Sequence, residues 1–240
     1  MEKFCHFSKL IQSNKNFIKG NAMKRKTKVT FFGHSMFLIE SENGLKIGMD
    51  PFDENVKSKL PDIESDIVTV SHSHYDHSNT SLFKGSPEII KDIGKFNQKD
   101  IVISGYPSFH DNEGGILRGK NIIFEIETDG ISFIHLGDFG SFQDEFTLDL
   151  IRNKDVLFIP VGGVYTIDHN EAVMLIEKLN PKVAIPMHFK EKDTKVGIGE
   201  INSFKNTLKG YTIKEMGNSF ELIKEELPQK TEIWIMHGSS

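Results

Sequence analysis

The segment Ser71–His77 constrains this chain more than any other part of the sequence. It directly follows the short apolar run Ile67–Val70, and it contains three histidines and one aspartate within six residues: His72, His74, Asp76 and His77. Imidazole and carboxylate groups are good ligands for a divalent transition metal such as zinc. Four such side chains in one loop at a strand end therefore predict a metal site that can bind more than one ion. A solvated His-rich turn is the alternative.

Length and composition set broader limits. The 240 residues are compatible with one domain of the α/β or sandwich type. The formal net charge of -5, with basic residues spread along the chain, gives no sign of a nucleic-acid surface. The single cysteine, Cys5, fits a reducing compartment, so we expect a cytoplasmic protein. No apolar run is long enough for a membrane span.

The two ends of the chain look peripheral. Residues 1–22 are polar and basic, and Met23 stands just before the first strand pattern, so we expect a disordered arm or a mis-called extension ahead of Met23. A single domain is predicted over residues 23–233. Residues 234–240, which end in Gly-Ser-Ser, are predicted to be a peripheral tail.

Strand patterns dominate the rest of the sequence. Runs rich in β-branched and aromatic residues predict strands at 29–32, 36–39, 45–49, 67–70, 101–103, 122–126, 131–136, 156–159, 183–185 and 220–223. The pairs Asn43–Gly44 and Asp129–Gly130 predict hairpin turns. Helices are predicted at 168–179, where Asp168 and Glu171 form a capping box, and at 200–208. This order of elements predicts two sheets packed face to face with helices outside.

Three further metal-capable residues stand at predicted strand ends. His110 follows a strand pattern, Asp138 ends His135–Asp138, and His188 ends Ile185–His188. One such residue alone is more often a surface polar group. Their recurrence after the dense first cluster favours a common site.

The order His-x-His-x-Asp-His, then His, Asp and His resembles the metallo-β-lactamase fold superfamily over about residues 28–220. Four shorter motifs, Gly33–Ser35, Asp50–Pro51, His135–Asp138 and Ile185–His188, resemble its branch of ascorbate-6-phosphate lactonase-like proteins and uncharacterised metal-dependent hydrolases. The resemblance implies an α/β fold, a four-layer αββα sandwich with the metal site at one edge between the sheets.

The resemblance also implies the ligand set. His72, His74 and His110 would bind a first metal ion, and Asp76, His77 and His188 a second, with Asp138 between them. The cofactors implied are two divalent ions, zinc before manganese or iron, holding a bridging hydroxide for hydrolysis. Asp76 and Asp138 are the residues placed closest to catalysis; Asp76 can also orient water or pass on a proton.

Other residues are candidates for supporting roles. Asp50 can orient His72 or His74, or can merely turn the chain. His34 can face the substrate or be a polar turn residue. Tyr165 and Thr166, in a glycine-containing loop, can donate hydroxyls to substrate, although that loop can equally be glycine-rich for tight packing. Arg118 can pair with an anion or be solvated.

We therefore expect a dinuclear metallohydrolase acting on a small, anionic ester, lactone or phosphodiester. The alternatives are a nuclease of the same superfamily, a di-iron redox or sensor protein, and a non-catalytic metal-binding protein. No nucleic-acid or membrane partner is expected. The sequence leaves the oligomeric state open, and a homo-oligomer is compatible with it.

Overall fold

A computed structural model describes residues 24–140 and 145–238, so the expectations for residues 1–22 lie outside the described part of the chain. The described residues form three helices, α1 (Glu145–Leu150), α2 (His169–Leu179) and α3 (Ile201–Thr207). They also form sixteen strands: β1 (Lys26–Gly33), β2 (Met36–Glu40), β3 (Lys46–Met49), β4 (Ile63–Glu64), β5 (Ile67–Thr69), β6 (Phe83–Lys84), β7 (Glu88–Ile90), β8 (Gly94–Gln98), β9 (Ile101–Phe109), β10 (Lys120–Thr128), β11 (Ile131–His135), β12 (Val156–Pro160), β13 (Val183–Met187), β14 (Thr212–Glu215), β15 (Ser219–Ile223) and β16 (Glu232–Ile235).

The strands build two large sheets and one small one. The six-stranded sheet has the order β15-β1-β2-β3-β5-β7, the eight-stranded sheet the order β14-β16-β13-β12-β11-β10-β9-β8, and β4 pairs with β6. Both predicted hairpins are present. Strands β2 and β3 pair antiparallel around Asn43–Gly44, and β10 and β11 pair around Asp129–Gly130, where both residues have positive φ angles of 52° and 79°.

The two large sheets pack face to face. Strand β2 is buried on both faces, and its residues alternate between two apolar clusters because side chains alternate along a strand. Phe37 points between the sheets, where its ring centroid lies 4.2 Å from that of Phe158 on β12. The predicted sandwich is confirmed.

The outer layers differ between the two sheets. Helix α2 packs its apolar face, including Leu175 and Leu179, into the larger apolar cluster, which also contains the buried residues of the eight-stranded sheet. On the outer face of the six-stranded sheet, Met36 packs instead against Phe52 and Val56 of an irregular segment. Among the described residues, the apolar cluster on this outer face contains no α-helical residue. None of the helices described is long and apolar enough to cross a membrane.

The predicted capping box at α2 is confirmed. The Asp168 carboxylate accepts hydrogen bonds from the backbone N–H groups of Asn170 and Glu171 at 2.8 and 2.9 Å, and Glu171 accepts the N–H of Asp168 at 2.8 Å. Asn180 ends the helix in the left-handed conformation. The N–H groups at the helix start are thus already engaged by a carboxylate of the chain itself.

The prediction of a peripheral tail from residue 234 is wrong for residues 234–236. Strand β16 lies between β13 and β14 inside the eight-stranded sheet, and Trp234, Ile235 and Met236 are buried. The apolar run Ile233–Met236 is as long as several strands that the sequence predicts, but it stands next to the polar residues 237–240 and was grouped with them. The domain therefore extends beyond residue 233.

Candidate metal centre

The predicted metal-binding residues converge at one end of the sandwich. The loop that holds His72–His77 follows β5, and single residues follow the ends of β9, β11 and β13. Three overlapping groups have ligand atoms within 4.8 Å of one another: His34, Asp76, His77 and His188; His72, His74 and His110; and His72, His77 and Asp138. The structure thus brings together all seven residues that the sequence singled out, and adds His34 to them.

Asp138 lies at the centre of this cluster, buried and between two sets of histidines. Its Oδ2 lies 3.0 Å from Nε2 of His110 and 3.9 Å from Nε2 of His72. Its Oδ1 lies 3.1 Å from Nε2 of His77 and 3.4 Å from Nε2 of His188. Each carboxylate oxygen therefore faces a different pair of imidazoles.

These spacings fit a divalent ion. Zinc binds imidazole nitrogen at about 2.0–2.1 Å, which gives a tetrahedral edge of about 3.3 Å between neighbouring ligand atoms. The 3.1 Å between His72 Nε2 and His74 Nδ1 is of this size, as are the distances from the Asp138 carboxylate to His77, His110 and His188. Three of the buried ligand atoms have no hydrogen-bond partner among the described residues: His77 Nε2, His188 Nε2 and Asp138 Oδ1. An unpaired buried polar atom is costly, so the cluster is a metal-binding one.

Hydrogen bonds behind the cluster fix which imidazole nitrogen is free. Nδ1 of His77 donates to Oδ2 of Asp50 at 2.8 Å, and Nδ1 of His110 donates to the Tyr165 carbonyl at 3.1 Å. Nδ1 of His72 lies 3.0 Å from Oγ of Ser71, which donates to Asp50 at 2.5 Å. In each ring Nε2 is left for a ligand. Asp50 thus orients His77 directly and His72 through Ser71, whereas its predicted alternative partner was His74.

Of the two alternatives for His34, the structure agrees with a turn residue, since His34 lies in the turn between β1 and β2 and does not line the cavity described below. Its side chain is fully buried, and Nε2 donates to Oδ2 of Asp76 at 3.1 Å. Its carbonyl accepts the N–H of His188 at 2.7 Å. A register shift between Phe31 and Gly33 at the end of β1, followed by the turn into β2, points the ring inward. Burial alone would raise the pKa of Asp76, but the His34 hydrogen bond holds that pKa well below its usual range.

Burial and charge also set the protonation of the histidines. Burial lowers the pKa of His72 and of His188 to about 3, which keeps both imidazoles neutral, the form that binds metal. Burial would likewise lower the pKa of His77, but the nearby Asp138 carboxylate raises it well above its ordinary value. The pKa of Asp138 is depressed in turn, because the surrounding histidine charges outweigh its burial.

Backbone conformations at the site are sparsely populated ones. His34, Asp50 and His188 have φ angles of 54°, 44° and 52°, in the left-handed region that favours glycine. Such residues cost roughly 1–3 kcal/mol each and cluster at functional sites. A Cβ on Gly162 would lie 2.1 Å from the His188 carbonyl oxygen. The glycine in this loop therefore serves close packing against the site, one of the two predicted alternatives.

A cavity of about 350 Å³ opens onto the cluster. Four cluster residues line it, together with Tyr75, Arg118, Tyr165 and Val196. Tyr165 thus lies beside the cluster, and a role of its hydroxyl toward substrate stays a prediction. Thr166 lines only an adjoining cavity of about 150 Å³, and its hydroxyl donates to the backbone carbonyl of the next residue at 3.2 Å.

Two supporting residues were not predicted from the sequence. The hydroxyl of Ser71 bridges His72 and Asp50 by two hydrogen bonds, as described above. Asn121, buried at the start of β10, accepts the N–H of Asp138 through Oδ1 at 3.0 Å and donates to the Leu136 carbonyl at 2.8 Å. It thereby fixes the turn that presents Asp138. His135 is buried and hydrogen-bonded to the Ser35 carbonyl at 2.9 Å, outside the metal cluster.

Comparison with known proteins agrees with this geometry. The sequence matches the β-lactamase superfamily domain over residues 28–188. A UPF0173 metal-dependent hydrolase of Carboxydothermus hydrogenoformans is 30% identical over 191 residues, which cover 68% of this chain and 84% of that protein. The chain belongs to the metallo-β-lactamase superfamily. Within it, the chain falls in the UPF0173 family of metal-dependent hydrolases. The predicted resemblance to metal-dependent hydrolases of this superfamily is confirmed.

Solved structures of the superfamily share the fold. A protein from Thermotoga maritima, described as a Zn-dependent hydrolase of this superfamily, is 36% identical with a TM-score of 0.72, covering 88% of this chain and 98% of that one. A metallo hydrolase from Ignicoccus hospitalis is 23% identical with a TM-score of 0.62, covering 90% and 97%. The second similarity supports the fold alone.

Proposed function

We propose that the protein is a dinuclear metal-dependent hydrolase of a small ester, lactone or phosphodiester. His72, His74, His110 and Oδ2 of Asp138 would hold one divalent ion. Asp76, His77, His188 and Oδ1 of Asp138 would hold the other. The ions would be zinc before manganese or iron; the Thermotoga maritima relative described as Zn-dependent supports zinc.

The single observation that carries this proposal is the division of the Asp138 carboxylate. Oδ1 faces His77 and His188 at 3.1 and 3.4 Å, and Oδ2 faces His110 at 3.0 Å and His72 at 3.9 Å. Three of these four distances are close to the spacing expected between ligands of one ion. One closed structural site would need four ligands, whereas seven side chains converge here. The ligands beyond these four support binding of two ions, with coordination positions left open for substrate.

Bound divalent ions supply a Lewis acid and a water activated for attack at neutral pH. The chain's own residues orient the ligands and handle protons. Asp50, Ser71 and His34 hold the cluster side chains in place from behind. Asp76 is partly exposed to the cavity, so its carboxylate is placed to orient water or to pass a proton to the leaving group.

The size of the cavity supports a small substrate, since about 350 Å³ lies at the low end for small-molecule sites. The overall negative charge argues against a nucleic-acid substrate. The lone cysteine supports a cytoplasmic location.

Metal analysis combined with a substrate screen tests the proposal. Purified protein should contain about two divalent ions per chain and should hydrolyse at least one class among lactones, thioesters, carboxylic esters and phosphodiesters. Asp138→Ala should lose both the metal content and the turnover while its circular dichroism spectrum stays that of the wild type. Turnover by Asp138→Ala at the wild-type rate would refute the assignment.

A further inference from the structure

We propose that Arg118 recognises an anionic group of the substrate, a carboxylate or phosphate separate from the bond that is cleaved. The inference rests on the proposed hydrolase function, which it extends to a substrate class. Arg118 lines the 350 Å³ cavity together with His74 and Asp138 of the metal cluster. It is the only lysine or arginine among the described residues lining that cavity.

The backbone of Arg118 is fixed relative to the metal cluster. The Asp111 carboxylate, which is almost fully buried, accepts four backbone N–H groups of its own loop, from Glu113, Gly115, Leu117 and Arg118, at 2.7–3.0 Å. The N–H of His110 donates to the Gly119 carbonyl at 3.1 Å. These hydrogen bonds tie both ends of the loop to His110 and Asp111. The backbone of Arg118 is therefore held in a defined position beside the metal cluster.

The guanidinium group has spare donors. Its Nη2 donates to the Val164 carbonyl at 3.2 Å, and its Cζ lies 5.8 Å from the centroid of the Tyr165 ring. Neither contact among the described residues is with a carboxylate. Glu171, which shares the adjoining cavity with Arg118, instead accepts the N–H of Asp168. Since a guanidinium has five N–H donors in a fixed fork, a bidentate anion matches what remains.

The residues around Arg118 indicate the character of the part of the substrate that carries no charge. Tyr75 and Tyr165, which line the cavity beside Arg118, are 52% and 42% exposed. Exposed apolar surface beside a cation lowers the local dielectric constant when a ligand covers it, which strengthens the charge interaction. The substrate class that fits is a small ester or lactone with an apolar body and one anionic group.

Binding of non-hydrolysable anions to the metal-loaded protein tests this inference without requiring turnover. Calorimetry would compare the dicarboxylates from malonate to adipate with their monoamides, and a second arm would use the phosphonocarboxylates of the same lengths. The best dianion should bind wild type at least about 10-fold more tightly than its monoamide. In Arg118→Met the ratio should fall to about one, and Arg118→Lys should keep part of it.

Lys120→Met is the matched control. Lys120 stands two residues further along the chain and lines a separate groove of about 860 Å³, so this variant should keep the wild-type ratio. An unchanged ratio in Arg118→Met, or a ratio of about one for wild type in both arms, would overturn the inference. Failure of the hydrolase function would appear separately, as absent metal or absent turnover.

Discussion

Asp50 accepts a hydrogen bond from Nδ1 of His77 at 2.8 Å, and both side chains are completely buried. Asp50 is not placed to contact a metal ion itself. Its carboxylate also accepts hydrogen bonds from the N–H and hydroxyl of Ser71, at 2.8 and 2.5 Å. One carboxylate therefore sets the orientation of two imidazoles from behind the cluster.

Asp50→Asn should weaken metal binding about 10–100-fold while the chain stays folded, because loss of a carboxylate behind a metal-binding histidine has effects of this size. Competition with a chromophoric chelator measures the affinity. Asp62→Asn is the control, since Asp62 is exposed and its ion pair among the described residues is with Lys84 on the surface. Equal metal affinity in the two variants would show that Asp50 merely turns the chain.

The two halves of the cluster should lose metal separately. His74→Ala removes a residue on the Oδ2 side of Asp138, and His188→Ala removes one on the Oδ1 side. Each variant should retain about one ion per chain and lose turnover, because in-line attack uses both ions. Elemental analysis after gel filtration gives the stoichiometry. Two ions retained in either variant would contradict the assignment of that histidine.

The sequence predicted the residues of the site better than their orientations. The dense His72–His77 loop and the later strand ends are local patterns, and the buried strands carry clear apolar periods. The inward orientation of His34 depends on a φ angle of 54°, which no residue pattern encodes. Strands β8 and β14 lie at the two edges of their sheet with largely exposed side chains, so neither has the apolar alternation by which strands are recognised.

Asp155 should make stability depend on pH. Burial alone would raise its pKa, but the hydrogen bond from Lys224 and those from Ser132 at 2.9 and 3.0 Å lower it. A lowered pKa in the folded state stabilises the protein fully above the unfolded value of about 3.9, and that contribution is lost as pH falls through the folded value. Asp155→Asn should thus cost about 1–3 kcal/mol at neutral pH.

Urea unfolding of both proteins between pH 7 and pH 3 measures this dependence. The difference in free energy of unfolding between wild type and Asp155→Asn should shrink as the pH falls below about 4. A difference that stays constant over the whole range would mean that the charge of Asp155 contributes nothing.

Lys57 supports the site from a distance through a buried ion pair. Its side chain is 2% exposed, and its Nζ lies 2.8 Å from Glu191 Oε2 and 3.4 Å from Asp193 Oδ1. It also donates to the Phe32 carbonyl at 3.3 Å. Phe32 stands two residues before His34, and Glu191 three residues after His188. The pair therefore joins the two segments that carry these histidines.

Lys57→Met should destabilise the metal-loaded protein by about 3–5 kcal/mol, because it leaves Glu191 buried without its counter-charge. The double variant Lys57→Met/Glu191→Gln should recover part of that loss, since no uncompensated charge then remains. Lys84→Met, which removes an exposed ion pair with Asp62, should cost at most about 1 kcal/mol. If Lys57→Met unfolds at the same urea concentration as Lys84→Met, the buried pair does not hold these segments together.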